Sequence, residues 1–147
     1  GLESTVINTN HSKPKILRYG SITEEQIKKI IPNIYFDENN ELSPLSPGQQ
    51  TKHYSPNIPM RINVSSVLEG EVLLNFGQNK LVSKILEINL SLSGDLNEAA
   101  KNLYDYLHHL DKLKFKGIAV APIPNIKLGK TINDRLKRAV AKDKIKI

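Results

Sequence analysis

The chain lacks cysteine and tryptophan, and only 5% of its 147 residues are aromatic. Without cysteine there can be no disulfide framework, no thiolate zinc site and no cysteine nucleophile. A reducing compartment fits that composition, and a cytoplasmic location is expected. No apolar run approaches the ~20 residues of a membrane-spanning helix. The N-terminus also lacks the charged, apolar and small-residue order of a signal peptide, so no membrane partner is expected. Because the first residue is Gly1 and not Met, the sequence reads as a processed or truncated product. With so few rings the core must be aliphatic, and a hydrophobic content of 39% is enough to build one.

The net charge of +6 is unevenly spread. Residues 112–147 carry 11 Lys and Arg against Asp134 and Asp143, a balance of +9, while the other 111 residues hold 10 basic and 13 acidic groups, a balance of −3. A basic end of this kind can meet RNA or phosphate, with Arg135, Lys137 and Arg138 as the expected contacts. A charge run is also the ordinary composition of a solvated face.

Three parts are expected along the chain. Residues 1–31 read as strand, loop, short strand and helix: "STVIN" is β-branched, "KILR" could pair with it, and "TEEQIKKII" opens on a capping box from Thr23 to Gln26. That piece is too small to bury a core alone, and partial disorder or swapping onto a neighbouring chain is expected of it. Residues 32–59 hold Pro32, Pro44, Pro47, Pro56 and Pro59 with no helical or strand period, the pattern of a linker.

Residues 60–147 have the composition of a small domain. "MRINV" and "EVLLNF" are short strand candidates, and Leu86, Ile88, Leu90 and Leu92 alternate with polar residues as in a half-buried strand. A helix should start at Asp95, with Leu96, Ala99, Ala100, Leu103, Leu107 and Leu110 on its apolar stripe. "GIAVAPIP" reads as a buried strand ending at proline. A last helix over roughly 130–141 would place Ile132, Leu136, Ala139 and Val140 on one face. The alternation gives an α/β fold, a small layered, Rossmann-like domain.

Several chemical signals lead nowhere. His108 and His109 are adjacent on a helix and cannot point the same way, and neither has a ligand-type partner four residues on, so no metal site is expected. "LGKT" at 128–131 would need a glycine where Pro124 stands, and proline has no N–H to offer a phosphate. Ser4 and Thr5 lack a Ser/His/Asp arrangement and suit anion binding better than nucleophilic attack, with Arg18 as a bidentate cation. In "SPLSPGQQTKHYSP", Ser46, Pro47 and Gly48 favour a turn. Lys52, His53 and Tyr54 then add a charge and donors on a tether, as a lid closing over an anion requires.

Taken in order, "GLESTV", "ILRYGSIT", "SPG" with "HYSP" four residues on, and "NDRLKRA" resemble the two-domain form of the threonylcarbamoyl-AMP synthase family. In that family a YrdC-like catalytic domain is followed by a linker and a smaller C-terminal α/β domain. The resemblance runs from residue 1 to about 141, so residues 1–31 would be the last piece of the catalytic domain. It implies conversion of L-threonine, bicarbonate and ATP, with Mg²⁺, to threonylcarbamoyl-AMP and pyrophosphate, for N6-threonylcarbamoyl modification of adenosine 37 in tRNA. Carried over, Ser4, Thr5 and Arg18 would line the substrate or nucleotide pocket. The lid would comprise Ser46, Pro47, Gly48, Lys52, His53 and Tyr54. Gln50 and Thr51 stand where some members carry a cation and a tyrosine. The family's Lys-x-Arg and Ser-x-Asn elements would lie upstream of Gly1, so the lone chain is expected to be inactive. The competing expectations are a non-enzymatic RNA-binding module using the basic end, and a regulatory or docking partner.

Overall fold

The computed structural model describes residues 2–10, 13–36 and 56–145, with side chains to residue 141. Two sheets are formed. In the first, strands β1 (Val6–Asn8) and β2 (Lys15–Arg18) run antiparallel, and β3 (Tyr35–Phe36) joins β2 in parallel. Helix α1 (Glu24–Lys28) lies between β2 and β3. Its start follows the capping box: Gln26 N donates to Thr23 Oγ1 at 3.2 Å, and Thr23 N donates to Gln26 Oε1 at 2.8 Å. It stops early because Pro32 disfavours helical geometry at Ile31. Ile30 is left 84% exposed. Ile16, Ile27 and Ile34 form the small core here, and the rings of Tyr19 and Phe36 stack at 4.4 Å. This sheet takes in Tyr35 and Phe36, residues expected in the linker.

The second sheet has four parallel strands in the order β4 (Met60–Arg61), β7 (Gly117–Val120), β5 (Glu71–Asn75), β6 (Glu87–Asn89). The long helix α2 (Leu96–Lys112) returns the chain from the β6 edge to β7, and α3 (Leu128–Ile145) follows. Asp95 caps α2 by accepting from the amides of Asn97 and Glu98. Both helices lie on one face of the sheet. There Leu103, Leu107, Leu110, Ile132 and Leu136 close over Val72, Leu74, Ile118 and Val120. The opposite face, Leu73 and Ala119, is covered by Val64, Val67 and Leu81 from loops. The result is the layered α/β fold expected from the sequence.

One strand is shorter than its alternation suggests. Leu90 is fully buried while Leu92 is 63% exposed. The strand ends at Asn89, whose side chain accepts from Ser91 N at 3.0 Å and donates to Gly77 O at 2.9 Å, turning the backbone out of register.

Gly129, at the start of α3, allows a close approach: a Cβ there would overlap the Pro124 carbonyl oxygen. Two effects compete on substitution. Alanine in a helix is favoured over glycine by roughly 0.5–1 kcal/mol. A clash against backbone cannot relax by rotating a side chain, and overpacking of this kind costs about 1–3 kcal/mol. The clash should win, so Gly129→Ala is expected to lower stability in urea titration; an unchanged or raised midpoint would contradict the close approach.

Candidate functional site

Ser4, Thr5 and Arg18 come together at the open side of the first sheet. Arg18 is only 5% exposed. Its guanidinium donates to the Ser4 carbonyl from Nε at 3.2 Å and from Nη2 at 2.9 Å, and Nη2 also lies 3.4 Å from Ser4 Oγ. The Thr5 hydroxyl is turned inward, donating to Ile22 O at 2.6 Å and accepting from Ile22 N at 3.2 Å. Ser4 is exposed, and its hydroxyl is in reach of Arg18 Nη2. Gly20 makes this edge possible, because a Cβ there would overlap the backbone of Ser4 and Thr5. Ser21 N donates to Glu3 O at 2.9 Å, closing the loop against the strand.

The edge is fastened to the second domain through α3. The Thr131 hydroxyl, buried, donates to Gly20 O at 2.8 Å. Arg135 Nη2 donates to Tyr19 O at 3.0 Å, and its Nη1 pairs with Asp134 at 2.9 Å. Lys130 Nζ lies 2.9 Å from Glu24 and 3.4 Å from Glu25. These contacts follow from helical spacing: Thr131 and Arg135 are four residues apart, on a stripe beside the apolar one of Ile132, Leu136 and Ala139.

Electrostatics reflect this packing. Burial pushes the Glu24 carboxyl up, but hydrogen bonds from Lys28, Lys130 and Tyr19 outweigh it and hold the group at about 2. Burial and the Glu24 hydrogen bond push the Tyr19 phenol well above its ordinary value. At Arg18 burial lowers the pKa, with Glu3 opposing it.

The basic residues expected to meet RNA are distributed differently from a surface cluster. Arg135 is 4% exposed and faces the first sheet. Arg138 is engaged by Asp134 at 3.0 Å, which leaves Lys137 as the exposed member of the three. Of the basic end, Lys130, Arg135 and Arg138 are matched within the chain by Glu3, Glu24, Glu25 and Asp134. The expected lid, Ser46, Pro47, Gly48, Lys52, His53 and Tyr54, lies outside the described residues.

Of the cavities among the described residues, one borders this edge at Ser21 and another lies farther from it. The first, about 340 Å³, lies between the starts of α1 and α3, lined by Thr23, Glu25, Gln26, Lys127 and Leu128 among others. The other, about 500 Å³, opens at the carboxyl ends of β5 and β7 beside Ser65, Gln78 and Lys80. Parallel sheets commonly bind ligands in that position. Here the Asn79 amide is used to tie its own loop, to Asn75 at 2.6 Å and Phe76 O at 3.1 Å.

The architecture defines a small α/β domain whose last helix supports the edge of a second sheet. Residues 22–141 match the family described as threonylcarbamoyl-AMP synthase, C-terminal domain, and the chain belongs to that family. It is similar to threonylcarbamoyl-AMP synthase of Bacillus subtilis, at 30% identity over 157 residues, and to that of Pyrococcus abyssi, at 27% over 158. Each alignment covers 95% of this chain, but the chain spans only 45% and 46% of the two relatives. A crystal structure of P. abyssi Sua5 complexed with L-threonine aligns with a TM-score of 0.77 at 24% identity, covering 96% of this chain and 46% of that one. A variant of the same protein, with an adjacent His and Tyr replaced by Ala, aligns with a TM-score of 0.72 at 22% identity, covering 95% of this chain and 45% of that one.

Sequence reasoning did not find Glu3 or the inward role of Arg135. Their signal was present as charge asymmetry, acids in the first part and bases in the last. The sign of the pH dependence follows from Glu24. A carboxyl held below its ordinary 4.5 stabilises the fold above that pH, and the contribution is lost as pH falls toward about 2. The stability difference between the native chain and Glu24→Gln should therefore be constant above about pH 4.5 and shrink between there and pH 2. A difference independent of pH across that window, in urea titrations, would contradict the Lys28–Glu24–Lys130 pairing.

Proposed function

We propose that this chain is the C-terminal part of an L-threonylcarbamoyladenylate synthase. In this reading it works with the remaining half that its relatives carry, converting L-threonine, bicarbonate and ATP to threonylcarbamoyl-AMP and pyrophosphate for tRNA modification. The observation that carries the reading is the Ser4–Arg18 edge, a guanidinium and a hydroxyl brought together and held against the family's C-terminal domain. L-threonine's carboxylate, bicarbonate and the triphosphate are all anions, and a site for them needs fixed donors and positive charge. The Ser4 hydroxyl supplies a donor, Arg18 supplies charge, and Thr5 holds the loop after Arg18 in place through Ile22. The bound L-threonine in the P. abyssi relative supports the substrate class.

Magnesium enters this reading with the nucleotide. Among the described residues no group of three His, Asp or Glu could hold a metal ion, and no step is assigned to one. The segment from Ser46 to Tyr54 is proposed to close over the substrates. Closure would keep water from a carbamate and an adenylate that both hydrolyse readily.

The test is pyrophosphate release with ATP, Mg²⁺, L-threonine and bicarbonate. The expected outcome is none from this chain alone, and threonine-dependent release when the rest of the protein is supplied. Release by the isolated chain, or none by the full-length protein, would overturn the reading.

A further inference from the structure

Arg135 flanks the substrate edge on both sides. Through Nη2 it donates to the carbonyl of Tyr19, the residue after Arg18. The same Nη2 lies 3.6 Å from the carboxylate of Glu3, the residue before Ser4, and Glu3 Oε2 is itself 3.2 Å from Arg18 Nη1. A single guanidinium on the last helix thus spans the two backbone segments that carry Ser4 and Arg18. Behind it, Asp134 pairs with both Arg135 and Arg138, fixing the fork from the helix side.

As packing alone this is a costly arrangement. The Arg135 Nε is buried without a hydrogen-bond partner. Leaving a buried donor unmade is unfavourable, and apolar side chains of similar volume often fill such a space at least as stably. What an arginine provides and an apolar residue does not is orientation, because its planar fork fixes the positions of several acceptors at once. Here the fork hydrogen-bonds Tyr19 O and Asp134 and forms an ion pair with Glu3.

We propose that Arg135 is a positioning residue for the synthase reaction, holding Ser4 and Arg18 in their substrate-binding geometry through Glu3 and the Tyr19 carbonyl. It touches no substrate. The C-terminal domain is then a structural part of the substrate site, and its last helix sets how well that site is pre-formed. The inference rests on the function proposed above.

The experiment uses the full-length protein containing this chain, with steady-state kinetics in which L-threonine and ATP are varied in turn. Arg135→Gln should raise KM for the substrate held by Ser4 and Arg18 about tenfold, with kcat changed far less, since displacement of positioning groups acts on binding geometry. Arg135→Lys should recover part of the loss. Adding Glu3→Gln to Arg135→Gln should raise KM by less than the product of the two single effects, because both changes act in part through the Arg135–Glu3 contact, while Glu3 also pairs with Arg18. A merely structural role would lower thermal stability and the active fraction while leaving both KM values alone. If both stay within about twofold of the native values, the inference is wrong. Should Arg135→Gln fail to fold, Arg135→Lys alone decides by the same KM criterion, since it keeps the charge and loses the fork. An inactive native full-length protein would remove the proposed function and this inference together, whereas an active one with unmoved KM values removes only the inference.

Discussion

Helix α3 carries two jobs on adjacent stripes, and the rest of the arrangement depends on that division. Ile132, Leu136 and Ala139 are buried against the parallel sheet and complete the core of the second domain. One position round the helix, Thr131 and Arg135 reach the loop that follows β2, with Lys130 paired to Glu24 beside them. The first sheet is too small to bury much apolar surface, with three buried isoleucines at its centre. Its order therefore relies on the polar seam with α3. Paired charges at such a seam are worth keeping together, since removing one partner of a buried pair costs about 3–5 kcal/mol.

The seam also uses part of the lopsided charge of the sequence. A +9 end and a −3 remainder suggest an external polyanion when read as composition. In the folded chain Lys130 and Arg135 meet Glu24, Glu25 and Glu3, and Arg138 meets Asp134. Composition cannot distinguish intramolecular complementarity from an external partner, because it holds no information on which faces meet.

Legibility followed the range of the interactions. Elements set by local physics were readable: the Thr23 capping box, the Asp95 cap, the stripe from Ala99 to Leu110, and the buried strand at Gly117–Val120. Leu92 was misplaced because the Asn89 side chain ends the strand, a choice made by one hydrogen bond rather than by periodicity. Helix α1 was expected to run longer, and Pro32 was the available sign that it would not. Of the site, the pairing of Ser4 with Arg18 was suggested by residue type and by family resemblance. Its attachment was not legible, since Arg135 lies 116 residues from Tyr19 in sequence. Nothing local marks an arginine as inward-facing when its acceptors are that distant.

The central claim is that the edge bearing Ser4 and Arg18 is held by α3 and does not move independently of it. Amide hydrogen exchange tests this directly, at Ser21, which donates to Glu3 O, and Ile22, which donates to Thr5 Oγ1, measured beside amides in the middle of α3. The account predicts that both are protected, and that Arg135→Gln reduces their protection while the α2 core amides keep theirs. Exchange of Ser21 and Ile22 at the rate of an unstructured peptide in the native chain would show that the edge is loose from the helix, and the account would fail.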